Sequence, residues 1–153
     1  MDEHTRRRIQ RAGAALFALY LIVLVYLLFF AEDFGRGTDA KYSCNLVPFR
    51  EIGRFWRYAG VVGWKASLIN IGGNVAAFVP FGALLPLFGR KWRGFFKITG
   101  LTALFSATVE ITQLLTRTGI CDVDDVILNT LGGALGYALF AACNGIRRKL
   151  SRN

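Results

Sequence analysis

Histidine is nearly absent from this chain of 153 residues: the one imidazole is His4, in a basic tail ahead of the first apolar stretch. No Ser/His/Asp set can therefore form, which removes the commonest nucleophilic machinery. Acids are scarce too, 10 Asp and Glu against 19 Lys and Arg, for a net charge of +9. Taken together, those basic residues do not form one face. They are split among short segments, which argues against a nucleic-acid footprint and fits an address on anionic inner-leaflet lipid. Charge is missing altogether from Ala12 to Ala31, a run that at about 1.5 Å per residue covers roughly 30 Å of hydrocarbon. Arg6, Arg7, Arg8 and Arg11 in front of it imitate a secretory signal, yet the apolar run is too long for one and no A-x-A-like cleavage site follows in "LLFFAEDFG". The reading is a retained first transmembrane helix.

What is present is apolar side chain, 54% of residues, with mean hydropathy +0.39, more than a soluble core of this size needs. Three further spans are expected, at about 68–88, 95–115 and 126–143, so residues 1–153 form a single all-α domain, a bundle of four transmembrane helices. An even number puts both termini on one side. Lys and Arg concentrate in the N-terminal tail, in the turn with Arg90, Lys91, Arg93 and Lys97, and in the C-terminal tail with Arg147, Arg148, Lys149 and Arg152. The positive-inside rule makes those segments cytoplasmic, and makes the segment from Glu32 to Ser67 and the connection around Arg117 exoplasmic.

Polar residues then recur at helical spacing. Thr99, Thr102, Ser106, Glu110, Gln113 and Arg117 share one face of the third span, Asp122, Asp125, Asn129, Gly132 and Gly136 one face of the fourth, and Asn70 and Asn74 open the second. Because the helices alternate in direction, these ends meet in one outer slab of the membrane. An acid inside a spanning helix costs about 2.5 to 3.5 kcal/mol, so Glu110 should face protein, a partner or water. The bland account is interhelical hydrogen bonding, a small-xxx-small packing face at Gly132 and Gly136, and helix capping by Asp122, Asp124 and Asp125.

In the exoplasmic segment, "NLVPFREIGRFWRYAG" places Phe49, Ile52, Phe55 and Trp56 on one helical face and Arg50, Arg54 and Arg57 on another. Such a helix lies in the interface plane. Its arginines either snorkel as anchors or grip phosphate oxygens of a lipid phosphate or pyrophosphate bidentately.

The pieces "NLVPF", "NIGGNVAAFVPFG", "EITQ" and "DVDDVILNTLGGALGY", with the four-span pattern, resemble the VanZ-like family of small bacterial membrane proteins. The resemblance covers nearly the whole chain. It implies a plasma-membrane protein facing cell-envelope chemistry, in a family named for resistance to glycopeptide antibiotics, chiefly teicoplanin. It carries weight at Asn45, Pro48, Phe49, Asn70, Asn74, Pro80, Glu110, Gln113, Asp122, Asp125 and Asn129.

Three functions compete. In the first the site binds a lipid, a lipid-linked envelope precursor or a glycopeptide antibiotic, through Asn45, Arg50, Arg54, Arg57, Asn70, Asn74, Gln113, Arg117, Asp124 and Asn129. In the second an enzyme acts on a lipid-linked pyrophosphate, with Glu110, Asp122 and Asp125 as general acid and base, or with Asp122 and Asp125 holding a Mg²⁺. No other cofactor is evident, and magnesium sites need few protein ligands, so the scarcity of histidine leaves this one open. In the third the bundle is a passive scaffold. Finally, Cys44 and Cys121 immediately precede Asn45 and Asp122 on the same expected face, whereas Cys143 lies at the far end of the last span. A disulfide between the first two would clamp the loop over the slab; otherwise they are two small apolar residues near the interface.

Overall fold

The computed structural model describes residues 3–30, 44–62 and 64–150. Its helices are α1 (Glu3–Phe29), α2 (Arg50–Val62), α3 (Trp64–Leu84), α4 (Phe95–Thr116) and α5 (Val123–Leu150), and two short strands, β1 (Cys44–Asn45) and β2 (Cys121–Asp122), pair with each other. The fold is all-α in substance, and four of its helices are long and apolar enough to cross a membrane. The first and last helices run past the expected spans. The first helix runs back through the basic tail to Glu3, and the last extends from Val123 to Leu150, because Arg and Lys side chains at helix ends continue the helix into the headgroup region at no cost. The expected end of the first span at Ala31, and the first part of the following loop (residues 31–43), lie outside the described residues.

The alternation of direction is written in three cross-links. Near the start of α1, Gln10 Nε2 donates to the Phe88 carbonyl (3.0 Å); midway, the Tyr20 hydroxyl donates to Ala77 O (2.8 Å); at the end of α1, Gln113 Nε2 donates to Leu28 O (2.8 Å). One end of the bundle thus holds the end of α1 and of α4 and the start of α5, and the other holds the start of α1 and the turn between α3 and α4. The second of these bonds lies beside an interruption in α3. Pro80 sits inside α3, offers no N–H to the carbonyl one turn back and crowds that turn, and a phenol from α1 is bonded to the carbonyl next to it.

Helices α3 and α5 meet backbone to backbone. A Cβ on Gly132 would lie 2.2 Å from Val75 O, on Gly136 2.0 Å from Val79 O, and on Gly82 1.9 Å from Gly133 O. With no hydrophobic driving force between helices in lipid, such close approach supplies the dispersion contacts that hold a pair together. Beside this seam, Leu24, Leu28, Phe78, Phe81 and Val109 form the apolar core, with the Phe81 and Phe105 rings stacked at 5.3 Å. Large apolar side chains such as Leu19, Ile22 and Leu104 are more than half exposed on the outside of the bundle, as a lipid solvent requires.

Candidate functional site

The expected polar face of α4 is real: Thr102, Ser106, Glu110 and Gln113 are all buried toward the bundle. So is Asn129 on α5, whose Nδ2 donates to Ser106 Oγ (2.8 Å). Gln113 spends its amide on Leu28 O, in the last turn of α1.

The acidic residues converge at the end of the bundle where β1 lies along β2, in parallel register with Cys44 beside Cys121 and Asn45 beside Asp122. This pairing joins "NLVPF" to "DVDD". Asn45 Nδ2 donates to Asp122 Oδ1 (3.1 Å), and the same oxygen receives the Asp124 N–H (2.9 Å). The Asp122 N–H in turn donates to Glu110 Oε2 (3.0 Å), so an acid inside α4 holds the strand that precedes α5. Asp125, one turn into α5, accepts from Asn74 Nδ2 on α3.

Asp124 has the clearest assignment. It is 1% exposed, and its two oxygens accept three backbone N–H groups from a helix more than seventy residues earlier: Phe49, Glu51 (2.8 Å) and Ile52 (3.1 Å). The remaining donors at that end are also satisfied, Arg50 N–H by Val47 O and Gly53 N–H by Phe49 O. Of the two roles expected for Asp124, ligand binding and helix capping, the bonds in place are those of an N-terminal cap, here for α2, supplied from another element and favoured by the helix dipole. Phe49 also departs from expectation. It precedes α2 with φ 63° and is exposed, so it is not part of the helical apolar face. Backbone geometry at the "VPF" corner explains this: Pro48 locks its own φ, and the turn into the capped helix is completed by a residue in the left-handed region.

The arginines lie at the same end. Arg50, Arg54 and Arg57 are exposed on α2; Arg54 pairs with Glu51 (2.6 Å) and rests over the Phe55 ring, while Arg57 Nε donates to Gly53 O (3.3 Å). Trp56 and Trp64, both more than half exposed, meet edge to face at 5.8 Å beside them. Arg117 closes α4 in the left-handed conformation (φ 58°), with the Thr118 N–H returning to Gln113 O, a Schellman arrangement whose left-handed position usually holds glycine. Asn70 is exposed and does not join the buried cluster.

Burial raises the Asp122 carboxyl above the usual carboxylate range, against the opposing effects of the Asp124 N–H, the Asn45 amide and the nearby Arg54. Burial likewise pushes the Cys121 thiol up to about 12, reinforced by Cys44 and by the carboxylates of Glu110 and Asp122. Cys44 Sγ and Cys121 Sγ are 2.6 Å apart. Among the described residues, no three His, Cys, Asp or Glu side chains are grouped to hold a metal ion. A groove of about 380 Å³ between α1, α3 and α4, lined by Phe17, Leu21, Phe81, Leu101, Leu104 and Phe105 among others, contains none of the residues singled out from the sequence.

Sequence reasoning missed the Tyr20 bond, the Ser106 partner of Asn129 and the remote cap. Pro80 marks only the turn in which the first of these falls, since a proline inside a span frees a carbonyl there.

The family model described as VanZ/LLP1 matches residues 17–144. Protein VanZ of Enterococcus faecium is 35% identical over 132 residues, covering 84% of this chain and 73% of that protein. No solved structure matches.

Proposed function

The chain belongs to the VanZ/LLP1 family, and from that premise we propose that it binds an anionic, lipid-linked component of the cell envelope at the end of the bundle that carries α2, without transforming it. The observation that carries this reading is how hydrogen-bonding capacity is divided. Glu110, Asp122, Asp124 and Asp125 each accept from a group inside the protein, whereas Arg50, Arg54 and Arg57 stand exposed on one short capped helix, with Arg54 and Arg57 committing only part of their donor forks, to Glu51 and Gly53 O. Acids so engaged are poorly placed for proton transfer or metal binding. Guanidinium forks presented to solvent suit phosphate oxygens. The exposed tryptophans beside them fit a helix lying at the headgroup level.

In this proposal the protein sits in the bacterial plasma membrane with both termini in the cytoplasm, a reading supported by the Lys and Arg at the opposite end of the bundle, in the turn between α3 and α4 and at the end of α5. The α2 end then faces the compartment in which envelope precursors and glycopeptide antibiotics are met. Resistance to teicoplanin, for which the family is named, would follow from occupancy of that site by the antibiotic or by the precursor it targets.

Titration of the purified full chain with a fluorescent polyprenyl pyrophosphate, with phosphatidylcholine as the uncharged-headgroup control, tests the site. Binding of the pyrophosphate should weaken as salt rises, because exposed charges are screened over about 8 Å at physiological ionic strength. Replacing Arg50, Arg54 and Arg57 together by Gln should cost about tenfold or more in affinity, given about 1.5 to 3 kcal/mol for a charge-assisted hydrogen bond. Undiminished binding by the triple variant would reduce α2 to a membrane anchor, and release of phosphate from the ligand would make the protein an enzyme.

A further inference from the structure

Cys44 is exposed, Cys121 is half-buried, and the parallel bridge sets them in register with their sulfurs 2.6 Å apart. Paired strands hold facing residues about 4.8 Å apart, within the range of Cα separations that a disulfide spans, so closure requires no movement of the backbone. Cys143 lies on α5 about 30 Å along the helix from its start, at about 1.5 Å per residue, and is too distant to compete. Nothing in the binding reading uses either thiol.

We propose that Cys44 and Cys121 form an intramolecular disulfide that fastens β1, and through it α2 with its arginine row, to the start of α5. Asp124 holds the same junction by hydrogen bonds alone, and the disulfide makes that attachment covalent, closing the 77-residue separation between the two cysteines. The oxidant is an external disulfide, either oxidised glutathione or the disulfide of a thiol–disulfide oxidoreductase. The exposed Cys44 attacks as thiolate, forming a mixed disulfide and expelling one thiolate. Cys121 then gives its proton to solvent, attacks Cys44 Sγ and expels the second. Two protein thiols lose two electrons, and the external disulfide becomes two thiols. Burial holds the Cys121 thiol above the usual range, so the second step, which needs its thiolate, speeds up as pH rises.

The experiment is a thiol count on full-length protein, blocked with a small alkylating reagent as the membranes are harvested and then denatured. Before reduction one cysteine, Cys143, should have been alkylated, and reduction should release two more. In the Cys143→Ser variant the numbers should be none and two. Peptide mapping should recover the Cys44 and Cys121 peptides joined, and reduced protein should re-close with oxidised glutathione about tenfold faster for each pH unit. Three alkylated thiols in the harvested protein would overturn the proposal, as would pairing through Cys143. Neither result depends on whether α2 binds phosphate.

Discussion

The seam between α3 and α5 and the junction where β1 meets β2 solve the same problem with opposite means. In the seam, attachment comes from the removal of side chains: Gly82, Gly132 and Gly136 let the backbones of α3 and α5 touch, and Gly133 makes room for the Thr102 side chain of α4. At the junction, attachment comes from side chains reaching to backbone groups at the ends of helices and at β2. Asp124 takes the first donors of α2, Gln113 a carbonyl in the last turn of α1, and Glu110 the N–H of β2. The difference shows why a membrane protein can afford so many acids in one place. Asp122 and Asp124 take up N–H groups at helix starts that would otherwise be bare, Glu110 takes the N–H of β2, and Asp125 takes the Asn74 amide.

If the seam carries the fold, its glycines should be the least replaceable residues. Gly136→Val would drive a side chain into Val79 O, 2.0 Å from where its Cβ must lie, and should cost about 3 kcal/mol or more, read as loss of monodisperse protein in detergent or a collapse of the melting temperature. The control is internal. Gly72 and Gly100 are also helical but have nothing within 4 Å, so alanine at either should be neutral or stabilise by about 0.5 to 1 kcal/mol. Equal sensitivity at Gly136 and at these two controls would dissolve the distinction.

The junction should yield separately from the seam. Asp124→Ala leaves three N–H groups without their carboxylate, and about 2 to 3 kcal/mol of stability should go from α2 while α3 and α5 stay packed. Hydrogen exchange would show this as lost protection confined to residues 49–53. Protection lost throughout would mean that the two regions unfold as one.

Arg117 allows a sharper test, since its left-handed backbone costs roughly 1 kcal/mol that glycine would not incur. Arg117→Gly should therefore raise stability by about 1 kcal/mol while weakening binding of an anionic headgroup, a split that a purely structural arginine would not produce.

The smallest effect concerns Asp122. Its folded carboxyl is raised above the ordinary value, so the proton favours the folded state: that stabilisation is complete in acid, below the unfolded value, and is lost as pH rises through the raised range. Asp122→Asn keeps an acceptor for Asn45 and Asp124 and removes the charge. Solvent screening of this half-buried group limits the gain at neutral pH to less than about 1 kcal/mol, and it should vanish as the pH falls. Melting curves of both proteins across that range check the sign.

Much of this architecture was readable in advance. Apolar runs of spanning length, basic turns and three- and four-residue polar spacing yield four alternating helices with Glu110, Gln113 and Asn129 turned inward, because helical periodicity and the cost of charge in hydrocarbon are properties of the chain itself. Gly132 and Gly136 were equally legible as a packing face. Partners were not. That Asp124 would cap α2, that Glu110 would hold the Asp122 N–H, that Ser106 would meet Asn129, and that Asn70 would stay outside the cluster all depend on how far each helix is rotated about its axis and on the two-residue strand register. Spacing along one helix states which residues share a face. Which group on another element stands a hydrogen bond away is set only when the elements pack, since a bond of about 3 Å is lost by a small fraction of a helical turn.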